Sequence, residues 1–139
     1  MLGCPQCRDW PRPGPPAGAP FRMEGDAARL VRALKFGGWF ALARPMGRAM
    51  AVEARRLAGP EGRRALLVPV PASRARRRER GFNQAGLLAR SLSRALGWPR
   101  ESLLTRRGGR RQARLGRHER AANVEGRFLL REGAPRPAE

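Results

Sequence analysis

The stretch from Leu66 to Gln84 constrains this chain more than any other. It reads LLVPVP, then ASRARRRER, then GFNQ. The opening apolar run has no polar alternation, which predicts a strand over 65–70 buried on both faces of a sheet. Two prolines punctuate that run, five arginines follow between Arg74 and Arg80, and Asn83 stands where it can cap a helix reaching Leu96. A strand, a basic loop and a helix start in that order make a place to hold an anion. The strand fixes position, the loop supplies guanidinium groups, and the first helical turn offers N–H groups with no intrahelical partner. The ligand class this predicts is phosphate or pyrophosphate, free or as part of a nucleic acid. Arg74, Arg76, Arg77, Arg78, Arg80, Gly81, Asn83 and Gln84 are the candidate phosphate-binding residues of this stretch.

The overall charge points to the same kind of partner. The 139 residues carry 30 basic and 11 acidic side chains, a formal net charge of +19, and Lys35 is the sole lysine. A GC-rich coding bias explains the choice of arginine over lysine but not an excess of this size. Such an excess implies nucleic acid, phosphorylated metabolites or acidic protein surfaces as partners. DNA is expected to bind non-specifically and electrostatically, with Arg76, Arg77 and Arg78 among its contacts. Aromatic residues make up only 6%, which argues against an extended base-stacking platform. Apolar residues reach 41%, enough for the core of one domain. No apolar run approaches the ~20 residues of a membrane span. A CPQC sequence stands where the apolar part of a signal peptide would lie, so a cytoplasmic protein is expected.

Along the chain, residues 1–20 read as a cysteine-containing tail and a proline-rich extended linker, 21–131 as the folded domain, and 132–139 as a polar tail. Asp26 is placed to cap a helix to Phe36, with Ala27, Leu30, Val31 and Leu34 facing inward and Gly37-Gly38 ending it. A second helix is predicted from about Ala41 to Leu57, with Leu42, Met46, Ala49, Met50 and Leu57 inward and Pro45 in its first turn. Gly59-Pro60-Glu61-Gly62 make a turn before the 65–70 strand. Leu88, Leu92 and Leu96 line one face of the helix that Asn83 caps, and Gly97 with Pro99 stop it. Leu103-Leu104-Thr105 reads as a short strand, Arg106 to Arg111 as a glycine- and arginine-rich loop, Gln112 to Ala122 as a mobile helix, and Val124 to Leu130 as a further strand. Helices interleaved with strands predict an α/β fold. No Ser/His/Asp triad, catalytic carboxylate pair or Walker motif is present. His118 reads as an exposed helix residue.

Four blocks in order resemble the ComF/GntX family of phosphoribosyltransferase-like proteins. They are LVRALKFGG from Leu30, the PVP and RGFNQ blocks between Val68 and Gln84, the block containing Gln112 that follows Leu103-Leu104-Thr105-Arg106, and RAANVEGRF from Arg120 to Phe128. The likeness covers about residues 21–130. It implies a truncated type I phosphoribosyltransferase-like fold, with a parallel sheet flanked by helices and phosphate-binding loops at the carboxyl ends of the strands. It also implies that VPVP and the following residues act as the pyrophosphate loop. The segment from Gln112 to Asn123 would fold over the reacting diphosphate, which adds Gln112, Arg120 and Asn123 to the candidate site. In function the resemblance implies a competence protein of DNA uptake and transformation. A competence helicase or a recombination-mediator protein would be its partner, and Mg2+ would accompany phosphoribosyl pyrophosphate if that substrate is used.

Two departures from the family pattern shape the expectation. The family's paired acidic residues and Thr- and Gly-rich turn, which bind ribose and 5′-phosphate, should follow Phe128. The sequence there is REGAPRPAE. The reading is therefore of a catalytically incomplete chain, as a truncated gene product or as a short form completed by a partner. An active phosphoribosyltransferase and a non-catalytic basic nucleic-acid-binding or assembly protein are the alternatives. The second departure is that Cys4 and Cys7 are the only cysteines, against the several pairs of a zinc ribbon. They supply two of the four ligands of a structural Zn2+ site. A vestigial, unoccupied site is expected, with zinc shared across a dimer as the alternative; a homo-oligomer is among the expected partners.

Overall fold

The computed structural model describes residues 16–60, 65–108 and 116–134. Five helices and two short strands lie in these segments: α1 (Gly25–Phe36), α2 (Ala43–Ala58), α3 (Arg74–Arg80), α4 (Gln84–Leu96), β1 (Leu104–Arg106), α5 (Arg117–Val124) and β2 (Phe128–Leu130). A 3-10 turn, Phe40–Leu42, leads into α2. The class is mixed helix and strand, as expected. Cys4, Cys7 and Gln112 lie outside the described residues.

The core is helical. Leu34 of α1, at 1% exposure, packs with Ala43 and Met46 of α2, and Val31, Leu42, Leu87 and Leu88 close around them. Ala51 of α2 and Ala89 and Leu92 of α4 are also buried. The helical periodicity of the sequence thus sets the core, with one rotation. In α1, Ala28 is buried while Leu30 is 39% exposed, so Leu30 is not the inward residue expected. Asp26 is not the cap either. Glu24 holds that position, and Asp26 pairs within the first turn with Arg29 at 3.2 Å. Pro45 does lie in the first turn of α2, where its missing N–H has no intrahelical acceptor to lose.

The crossing of α2 and α4 is close because Gly47 is buried at it. A Cβ on Gly47 would lie 2.5 Å from both Cβ and Oγ of Ser91. The Ser91 hydroxyl donates to the Arg44 carbonyl at 3.1 Å, so the contact is polar as well as tight.

The predicted strand over 65–70 is reduced to a single parallel bridge, Leu67 with Arg100. Leu67 N–H donates to the Pro99 carbonyl at 2.9 Å, and Glu101 N–H donates to the Leu67 carbonyl at 3.1 Å. The next rung on that side would need an N–H from residue 69, and the one after from residue 71. Both are prolines, and neither has a proton to give. The segment is not buried on both faces: Leu66 is 37% and Val70 55% exposed. Among the described residues the one sheet is the antiparallel pair β1–β2, with Leu104 opposite Leu130, Thr105 opposite Leu129 and Arg106 opposite Phe128. No parallel sheet is formed among them.

The arginine-rich stretch expected as a loop is helix α3. Arginine is a good helix former. The Ser73 hydroxyl caps the helix by accepting from Arg76 N–H at 3.3 Å, and Arg76 pairs with Glu79 one turn on at 3.2 Å. Gly81 ends it at φ 79°, a left-handed conformation that glycine alone adopts without strain, and its N–H donates to the Arg77 carbonyl.

Candidate anion-binding site

Winding Arg74–Arg80 into a helix sorts the five arginines by face. Arg74 and Arg78, one turn apart, line a cavity of about 500 Å³ together with Ser73 and Ala75. Arg106, Arg107 and Gly108, at the end of β1, form the facing wall. Four guanidinium-bearing residues therefore line one cavity, and no carboxylate lines it among the described residues. Neither Arg74, Arg78, Arg106 nor Arg107 is in an ion pair with a described residue.

Arg106 is the most constrained of the four. Its guanidinium carbon lies 5.4 Å from the centroid of the Phe128 ring, its cross-strand partner. Its Nε is buried and has no hydrogen-bond partner among the described residues. A buried donor without an acceptor is costly, and an anion in the adjoining cavity is the natural acceptor for an arginine fork. Arg107 N–H donates to the Arg127 carbonyl at 2.9 Å, which fixes the backbone as the chain leaves β1.

The remaining predicted residues lie elsewhere. Arg76 is turned to Glu79, and Arg77 is exposed; neither lines the cavity. Arg80 places its guanidinium carbon 4.6 Å from the Phe36 ring centroid, joining the end of α3 to the end of α1. Asn83 occupies the N-cap position of α4, but its side chain makes no cap bond. It donates instead to the Val70 carbonyl at 3.2 Å and so ties the VPVP segment to α4. Gln84 is buried, at 9% exposure, and the start of α4 is not part of the cavity. Arg120 and Asn123 belong to α5, where Asn123 is half-buried.

Of the cavity's four arginines, the sequence motifs pointed to Arg74 and Arg78 but not to Arg106 and Arg107. Arg106 and Arg107 were visible only as part of a basic, glycine-rich run. Nothing local tells that this run and α3, some 30 residues earlier, share a cavity. Comparison of the chain with protein-family models, with curated proteins and with solved structures finds no significant match. Among the described residues no helix is long and apolar enough to cross a membrane. No group of three or more His, Cys, Asp or Glu side chains among them is arranged to hold a metal ion.

Proposed function

We propose that this chain binds a diphosphate group, as free pyrophosphate or within phosphoribosyl pyrophosphate, in the cavity between α3 and β1. The observation that carries the reading is the convergence of Arg74, Arg78, Arg106 and Arg107 on one cavity of about 500 Å³ that no described carboxylate lines. That volume falls within the range of about 300–1,000 Å³ usual for small-ligand sites. Arginine forks match phosphate oxygens bidentately, and a multiply charged anion relieves the mutual repulsion of the four cations.

The class of protein this supports is a ComF-like, phosphoribosyltransferase-related one acting in DNA uptake. The four sequence blocks support it, as does the position of the cavity directly after the VPVP segment. The reading rests on the cavity and those blocks rather than on a parallel sheet, of which the described residues form only the isolated bridge of Leu67 with Arg100. Binding without turnover is the activity proposed for the chain. Transfer from phosphoribosyl pyrophosphate requires ribose and 5′-phosphate to be held in register with the diphosphate. No two acidic residues are adjacent anywhere in the sequence to grip the ribose hydroxyls.

Titration calorimetry with pyrophosphate tests the site. Binding should weaken at least tenfold in Arg74→Ala/Arg78→Ala and in Arg106→Ala, and stay unchanged in Arg77→Ala. Equal losses in all three variants would reduce the site to general surface charge. A pyrophosphate-release assay on phosphoribosyl pyrophosphate should give no signal; robust release would establish a working transferase.

A further inference from the structure

A second basic surface lies on the opposite side of the sequence logic, in residues that no motif marked. We propose that the groove between α2 and α4 binds the backbone of a single-stranded nucleic acid. The groove encloses about 750 Å³ and is lined by Arg44 and Arg48 from α2, Arg90 and Arg94 from α4, and Phe40 at its mouth. This site is independent of the diphosphate cavity, with which it shares no lining residue.

The arrangement follows from the helix crossing. Arg44 and Arg48 flank Gly47, Arg90 and Arg94 flank Ser91, and Gly47 packs tightly against Ser91 where the helices cross. Packing these two small residues together therefore brings all four arginines to one groove. All four are exposed, and none is in an ion pair with a described residue. Each helix carries its pair at i and i+4, a like-charge spacing that destabilises a helix. A polyanion in the groove reverses that cost. Along each helix the two arginines are ~6 Å apart, a step comparable to that between successive phosphates of an extended strand.

The aromatic at the groove mouth selects a single strand over a duplex. Phe40 is 53% exposed, and its ring is held edge-to-face against Phe82 with centroids 4.6 Å apart. Trp39 beside it is 64% exposed. An unstacked base has a π-face to lay on such a ring, and a paired base does not. The low aromatic content of the chain excludes a broad platform but leaves this position. By contrast, Arg76, expected from sequence to contact DNA, is already engaged by Glu79.

The test is fluorescence anisotropy of the full chain with labelled oligo-dT at several salt concentrations. Each neutralised phosphate contributes a slope of about −0.7 in log K against log salt for a single strand. Four contacts give about −2.8, or about a 50-fold loss between 50 and 200 mM salt. Arg90→Ala/Arg94→Ala should halve the slope and cut that loss to about 7-fold. Phe40→Leu, which keeps apolar bulk against Phe82, should weaken binding about tenfold with the slope unchanged. Arg76→Ala/Arg77→Ala should leave the slope as it is. The proposal is overturned if Arg76→Ala/Arg77→Ala matches Arg90→Ala/Arg94→Ala. It is also overturned if Phe40→Leu binds as the parent does, if a duplex binds as tightly as oligo-dT, or if polyglutamate displaces the strand at equal charge. Pyrophosphate binding, measured in parallel, should be unaffected by Arg90→Ala/Arg94→Ala, so the two sites stand or fall separately.

Discussion

Gly47→Ala tests the packing on which the α2–α4 groove depends. In most exposed helix interiors, replacing glycine by alanine stabilises by about 1 kcal/mol, because glycine gives up more backbone freedom on folding. Here the new methyl would lie 2.5 Å from Cβ and Oγ of Ser91 and 3.1 Å from the Leu92 backbone nitrogen. Optimal carbon–carbon contact is about 3.5–4.0 Å. Rotating the Ser91 hydroxyl away does not help its Cβ, which the backbone fixes. The helices must separate by about 1 Å, and overpacking of this kind costs about 1–3 kcal/mol. Separation also breaks the Ser91 hydroxyl bond to the Arg44 carbonyl, which contributes about 1 kcal/mol. Setting the helical gain against these two costs leaves a net loss of about 1–3 kcal/mol. Urea denaturation monitored by circular dichroism should show a lower midpoint with unchanged slope. The double variant Gly47→Ala/Ser91→Gly should regain much of the loss that Gly47→Ala suffers when compared with Ser91→Gly alone, since the colliding Cβ is gone. An increase in stability for Gly47→Ala would refute the close crossing and, with it, the physical basis for gathering four arginines in one groove.

Further outcomes follow from the same geometry. Ser73→Ala removes the one side-chain cap of α3 and should destabilise that helix by about 1 kcal/mol, weakening pyrophosphate binding because Arg74 and Arg78 are positioned by it; calorimetry reads the change. Glu53 accepts from Arg56 Nε–H at 2.9 Å, and this bond, with the arginine charge, holds its carboxyl below the ordinary glutamate value. A depressed carboxyl contributes stability that is present above the unfolded-state value and disappears as pH falls through the folded one. The small excess in urea midpoint of the parent over Glu53→Gln should therefore hold above about pH 5 and vanish on acidification below the ordinary glutamate range. A midpoint difference that grows on acidification would contradict the pairing.

What the sequence determines by itself is local. The 3.6-residue apolar period places α1, α2 and α4, and the glycines at 37 and 97 mark where helices stop, because these signals act within one or two turns of the chain. The five arginines between 74 and 80 concentrate positive charge, which needs no fold to be recognised. The tertiary structure decides the rest. The apolar run over 65–70 has the composition of a buried strand, yet pairing requires donors on one side, and prolines at 69 and 71 remove them after a single rung. Only folding divides the arginines of α3 between the cavity, a salt bridge with Glu79 and the Phe36 ring. Only folding brings Arg106 and Arg107 across from β1, or sets Arg44 and Arg48 opposite Arg90 and Arg94 at the Gly47–Ser91 crossing. Periodicity and composition report which face of an element is apolar. They carry no information about which basic side chains from distant elements come to share one volume, because that depends on how closely the elements approach.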